Sequence, residues 1–106
     1  MVNITDIRIR KMLPTGRMRA VVSVTIDNVL AIHDIKVIQG DNRLFVAMPS
    51  RKDENGVFRD IVHPIDSEAR AFMESQILDE YERCKAQMDA ETQYGLDIGY
   101  YSKPHI

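Results

Sequence analysis

The chain is short of most residues that mark specialised chemistry. It has one cysteine, Cys84, so no internal disulfide can form and nothing suggests an oxidising compartment. Tryptophan is absent. No unbroken apolar stretch approaches the length needed to span a membrane. The first residues, Met1-Val2-Asn3-Ile4-Thr5-Asp6, lack the basic-then-apolar order of a signal peptide. A cytoplasmic location is therefore expected. Glycine-rich phosphate loops and the Gly-x-Ser-x-Gly elbow are missing. The three histidines, His33, His63 and His105, stand far apart in sequence, and zinc-ligand spacing does not occur. Neither a metal, a cofactor nor a small-molecule substrate is expected, and no nucleophile–base set emerges to suggest an enzyme.

What is present fits one small domain. The 106 residues are 44% hydrophobic, enough for a single core. Val2–Leu13 reads as a strand, but Val2 and Ile4 have one parity and Ile7 and Ile9 the other. One face cannot bury both sets, so a bulge is expected near Thr5-Asp6. Pro14-Thr15-Gly16 is turn chemistry. Met18–Asn28 then alternates cleanly, with Met18, Ala20, Val22, Val24 and Ile26 on one face, completing a hairpin. The opposite face includes Val21 and is not strongly polar, which mildly favours a partner there. After a turn, strands over Ile32–Ile38 and Leu44–Met48 form a second hairpin. Ser50–Gly56 reads as a charged loop, and Val57–His63 as a short return strand ended by Pro64.

Asp66 or Ser67 should cap a helix. Its stripe Ala69, Phe72, Met73, Ile77, Tyr81, Cys84, Met88 keeps helical spacing for five turns, and the helix should stop before Gly95. The expected fold is α+β: an antiparallel sheet of about five short strands followed by one long C-terminal helix on one face. It forms a single domain over 1–91, with 92–106 as a tail holding three of the four tyrosines.

Charge divides this chain unevenly. Residues 1–65 carry ten Lys/Arg and seven Asp/Glu, whereas residues 66–91 carry three and eight. Arg8, Arg10, Lys11, Arg17 and Arg19 fall between Ile7 and Ile26 with no acid among them. Such a chain can be mildly acidic and still present one positive face. Arg51-Lys52, in the charged loop, could reach nucleic-acid phosphates, as could Lys11 and Arg17 beside the first hairpin tip. No exposed aromatics interleave with these basic residues, which argues against a stacking platform for single strands. The long helix is acidic and a poor candidate for a major groove. Asp79-Glu80-Glu82 reads as its solvated face, and Cys84 as core.

Three blocks, His33–Ile38, Leu44–Lys52 and Phe58–Ile65, with the opening Ile4–Arg10, resemble in order and spacing the stage V sporulation protein G (SpoVG) family of septation regulators, across roughly residues 2–84. The resemblance implies a homodimeric, non-enzymatic regulator that binds DNA and, in some members, RNA. It carries the nucleic-acid role onto Arg51 and Lys52, with Lys11, Arg17 and Arg43 as assisting cations. The alternative is a protein–protein adaptor of the division or sporulation machinery that uses the acidic helix face.

Overall fold

The computed structural model describes residues 3–93. Strands β1 (Ile4–Met12), β2 (Met18–Ile26), β3 (Leu30–Gln39) and β4 (Leu44–Ala47) form an antiparallel meander in the order β1-β2-β3-β4. Two further strands, β5 (Ser50–Lys52) and β6 (Phe58–Asp60), pair with each other in a separate small sheet. A single helix, α1 (Ser67–Gln93), follows. The fold class is the expected α+β. The expected single sheet of five strands is instead four strands plus two, and Ser50–Lys52, read as loop, is strand. The tail from residue 94 onward, with its tyrosines and Gly95, lies outside the described residues.

The local chemistry accounts for the meander. Gly16 takes a left-handed φ of 89° in the first turn. Between β2 and β3, Asp27 and Asn28 both have positive φ (53° and 59°), and the Val29 amide donates to the Ile26 carbonyl at 3.0 Å. Asp27 and Asn28 thus form the tight turn of a three-residue hairpin connection completed by Val29, and Asp and Asn tolerate positive φ best after glycine. Met18–Asn28 is therefore too long as a strand by two residues, and β3 starts at Leu30.

The register slips between Ile4 and Asp6, where the parity of the apolar residues requires a bulge, and again between Ile9 and Lys11. The two slips let Ile4, Ile7, Ile9 and Met12 all pack on one side. A third irregularity, between Val22 and Val24 in the β2–β3 ladder, coincides with Asp34 at a φ of 63°.

The core lies between that side of the sheet and α1. Ile9, Met12, Ala20, Val22, Val24, Ile35, Val37, Val46 and Met48 meet Ile77, Tyr81 and Cys84 of the helix. Asp66 is the helix cap, its Oδ1 accepting from the Ala69 amide at 2.8 Å. Glu74 fastens the helix to the sheet edge. Its Oε2 accepts from the Val46 amide at 3.0 Å, and its Oε1 accepts from Arg43 Nη1 at 3.0 Å. A carboxylate on the β4 backbone blunts the open edge of the sheet. Glu80, read as part of a solvated acidic face, is instead half-buried and holds both Arg83 and the Cys84 thiol.

Ile77 is fully buried at the centre of the helix stripe. Ile77→Ala should cost about 2–5 kcal/mol of unfolding free energy, read as a lowered urea midpoint with an unchanged slope.

Candidate nucleic-acid interface

The topology separates the five candidate cations into two groups. Lys11, Arg17 and Arg43 belong to the end of the sheet where the first hairpin turns and β3 passes to β4. There the Gln39 amide donates to the Arg17 carbonyl at 2.7 Å. β4 runs back from Leu44 opposite Gln39 to Ala47 opposite Lys36, so the chain leaves it towards the other end. Arg51 and Lys52 lie beyond that exit, in β5.

Their commitments differ too. Arg43 donates to Glu74 and to the Leu44 carbonyl, both at 3.0 Å, so its guanidinium is used structurally. Arg17 approaches Asp41 at 3.7 Å, with both side chains well exposed, a contact of little energetic weight. Lys11, Arg51 and Lys52 are exposed, and among the described residues none has a carboxylate at ion-pair distance.

The β5–β6 hairpin forms an arm built around Asp53. The Asp53 carboxylate accepts from the Asn55 amide (2.8 Å), the Val57 amide (3.0 Å) and Arg59 Nε (2.8 Å). These bonds, the Arg59 contact first, hold its carboxyl below the usual carboxylate range. Gly56 supplies a φ of 83° in the loop. In register, Arg51 faces Arg59 and Lys52 faces Phe58, with Lys52 Nζ 5.3 Å from the centre of the Phe58 ring. The two opposed arginines repel each other across the ladder. Every residue of both strands is exposed, and Phe58 is 67% accessible. The arm is thus a positive strand bearing an uncovered aromatic, rather than the charged loop expected from sequence.

The uncovered face of the main sheet holds residues that sequence reasoning left aside. Ser23 is buried there, accepting from Arg10 Nε at 3.1 Å, with its hydroxyl 2.8 Å from His33 Nδ1. Lys36 and Lys11 both pair in register with Val21 and so point to this side. Phe45 alternates with the inward-facing Leu44 and Val46, and its ring rests against Gly40, where a Cβ would stand 3.2 Å from it. The basic spacing of β1 was visible in sequence. The convergence of Lys36 and Phe45 on it depends on strand order, which no local pattern reveals.

His63 sits beside Pro64, its Nδ1 2.8 Å from the Pro64 carbonyl. Cys84 is buried, and its thiol is pushed up to about 11, first by burial and then by Glu80. At the Leu30 end an apolar groove of about 220 Å³, lined by Ile4, Ile26, Leu30, Met48, Phe72 and Met73 among others, opens to solvent. Exposed Val29 and Ile65 add to the apolar surface of the chain. No helix among the described residues is long and apolar enough to cross a membrane.

Residues 2–83 match the model of the SpoVG family. Proteins carrying the name "Putative septation protein SpoVG" are similar over most of their length. The one from Clostridium perfringens (strain SM101 / Type A) is 58% identical over 83 residues, 78% of this chain and 92% of the relative. That from Thermoanaerobacter sp. (strain X514) is 58% identical over 84 residues, covering 79% and 91%. That from Caldanaerobacter subterraneus subsp. tengcongensis is 58% identical over 82 residues, covering 77% and 90%.

Asp53 and Cys84 make different behaviour measurable. Because the Asp53 carboxyl is held low in the folded arm, its support for the turn is complete above the unfolded value near 4. It is lost as pH falls through the lower folded value. The amide resonances of Asn55 and Val57 should titrate together with a midpoint below 4, and a midpoint at or above 4 would contradict the assignment. The Cys84 thiol should resist alkylation at pH 8 in the native protein and react readily in urea.

Proposed function

The chain belongs to the SpoVG family, and from that premise we propose that it is a non-enzymatic regulator of septation and sporulation that binds DNA and RNA as a cytoplasmic homodimer. The observation that carries this reading is the arm. Arg51 and Lys52 lie next to each other on an exposed strand, without a carboxylate partner for either among the described residues. Long cations so placed contact phosphates through charge alone, in proportion to their number. Lys11 and Arg17 add charge from the far end of the sheet. Arg43 contributes least, since withdrawing it to a phosphate would sacrifice its contact with Glu74.

The dimer is supported by apolar exposure. Val57 (51%), Phe58 (67%) and Ile61 (67%) lie on or beside the arm, and Ile65 (88%) follows it. A two-stranded hairpin is marginal alone, and a second copy covering these residues would supply the burial it lacks. Dimerisation also doubles the number of phosphate contacts and joins two weak grips into one bivalent grip. The acidic outer face of α1, with Asp79 and Glu82 exposed, points away from this chemistry and would repel a phosphate backbone.

Arg51→Ala/Lys52→Ala should weaken duplex binding and flatten the plot of log affinity against log salt by about 0.9 for each phosphate no longer neutralised. A double variant with wild-type affinity and slope would sink the assignment. In sedimentation, Phe58→Ser/Ile61→Ser should shift the protein towards monomer.

A further inference from the structure

The uncovered face of the four-stranded sheet is electrostatically one-sided. The four strands carry two acids, Asp6 and Asp34, and five basic residues, of which Arg8, Arg10, Lys11 and Lys36 lie on this side while Arg19 lines a groove with Tyr81, Lys85 and Met88 of α1. Asp6 is already engaged by Arg8 at 3.2 Å. Arg10, Lys11 and Lys36 have no carboxylate at ion-pair distance among the described residues. Lys11 and Lys36 flank Val21 in one cross-strand row, two strand spacings or about 10 Å apart. Arg10 is oriented as well as charged. Ser23 holds its Nε, His33 braces the Ser23 hydroxyl from the next strand, and the Arg10 side chain stays exposed. On β4, Phe45 stands two register positions from the Lys36–Ala47 pair and so on the same side, with its ring steadied against Gly40.

The geometry points to this face as a binding platform for single-stranded nucleic acid, separate from the Arg51–Lys52 arm. Arg10, Lys11 and Lys36 contact consecutive phosphates, and Phe45 offers a ring for one base. An open sheet face with cations around an aromatic suits an unstacked strand, whose bases can turn onto the ring. A duplex keeps its bases stacked inside and cannot use Phe45. The charge balance selects a polyanion over a protein partner, and α1 leaves the face uncovered. The inference rests on the nucleic-acid reading above, but it assigns single strands to a different surface.

The test uses the full chain with a labelled oligo-dT and a duplex of equal length, each titrated at several salt concentrations. Arg10→Gln/Lys36→Gln should flatten the oligo-dT salt slope by about 1.4, at about 0.7 per phosphate, and leave most duplex affinity intact. Phe45→Leu, which keeps apolar packing on Gly40, should weaken oligo-dT about tenfold without altering the slope. Ser23→Ala should weaken oligo-dT while leaving every charge in place, an effect expected only if Arg10 is positioned by Ser23. Coincident thermal melting curves establish that the variants are folded. If these variants bind oligo-dT like wild type while Arg51→Ala/Lys52→Ala does not, the platform is wrong and the arm alone is the grip. Equal losses for duplex and oligo-dT also overturn it, in favour of a general phosphate surface. If the wild type binds neither probe, the nucleic-acid reading itself fails, and the platform with it.

Discussion

One helix can cover one side of a sheet, and everything else in this molecule follows from that limit. The apolar stripe of α1 is spent on the side of β1–β4 that carries Ile9, Val22, Val24, Ile35 and Val37. Among the described residues, the opposite side and the β5–β6 arm receive no such cover. Burial therefore sorts the chain into a dry half that sets the fold and a wet half free to carry charge. Glu74 enforces the arrangement by joining the helix to the edge-strand backbone, where a sliding helix would leave the Val46 amide unpaired.

Charge follows the same division. Four of the five basic residues of the strands lie on the side away from the acidic helix, so a chain with a net charge of −2 presents surfaces of opposite sign. On the proposed reading, a polyanion approaching from the helix side is repelled, and one approaching the sheet or the arm is drawn in. Orientation is thus imposed before contact, although the total charge is nearly neutral.

Much of the dry half was legible from residues alone. The alternation from Met18 to Ile26, the helical spacing from Ala69 to Met88, and the parity change at Thr5-Asp6 are direct records of which side chains must meet water. The Asp27-Asn28 turn escaped because both residues can also end a strand, and only the positive φ of each reveals the hairpin. β5 escaped because Ser50, Arg51 and Lys52 have no alternation, and their pairing with Phe58–Asp60 comes from the Asp53 turn rather than from burial. The wet half was legible only as a set of cations. That Arg43 is tied to Glu74, thirty-one positions away, or that Lys36 shares a row with Lys11, depends on contacts between distant segments.

The arm has one further consequence. Its turn is held by Asp53 and its strands by each other, while the core is held by β1–β4 and α1. Two such units open independently, and a change in one leaves the free energy of the other nearly untouched. Substitutions on the arm can therefore change its surface without eroding the scaffold, and the core can gain or lose stability without altering the arm. On the reading proposed above, this modularity makes the arm the least costly part of the molecule to rewrite.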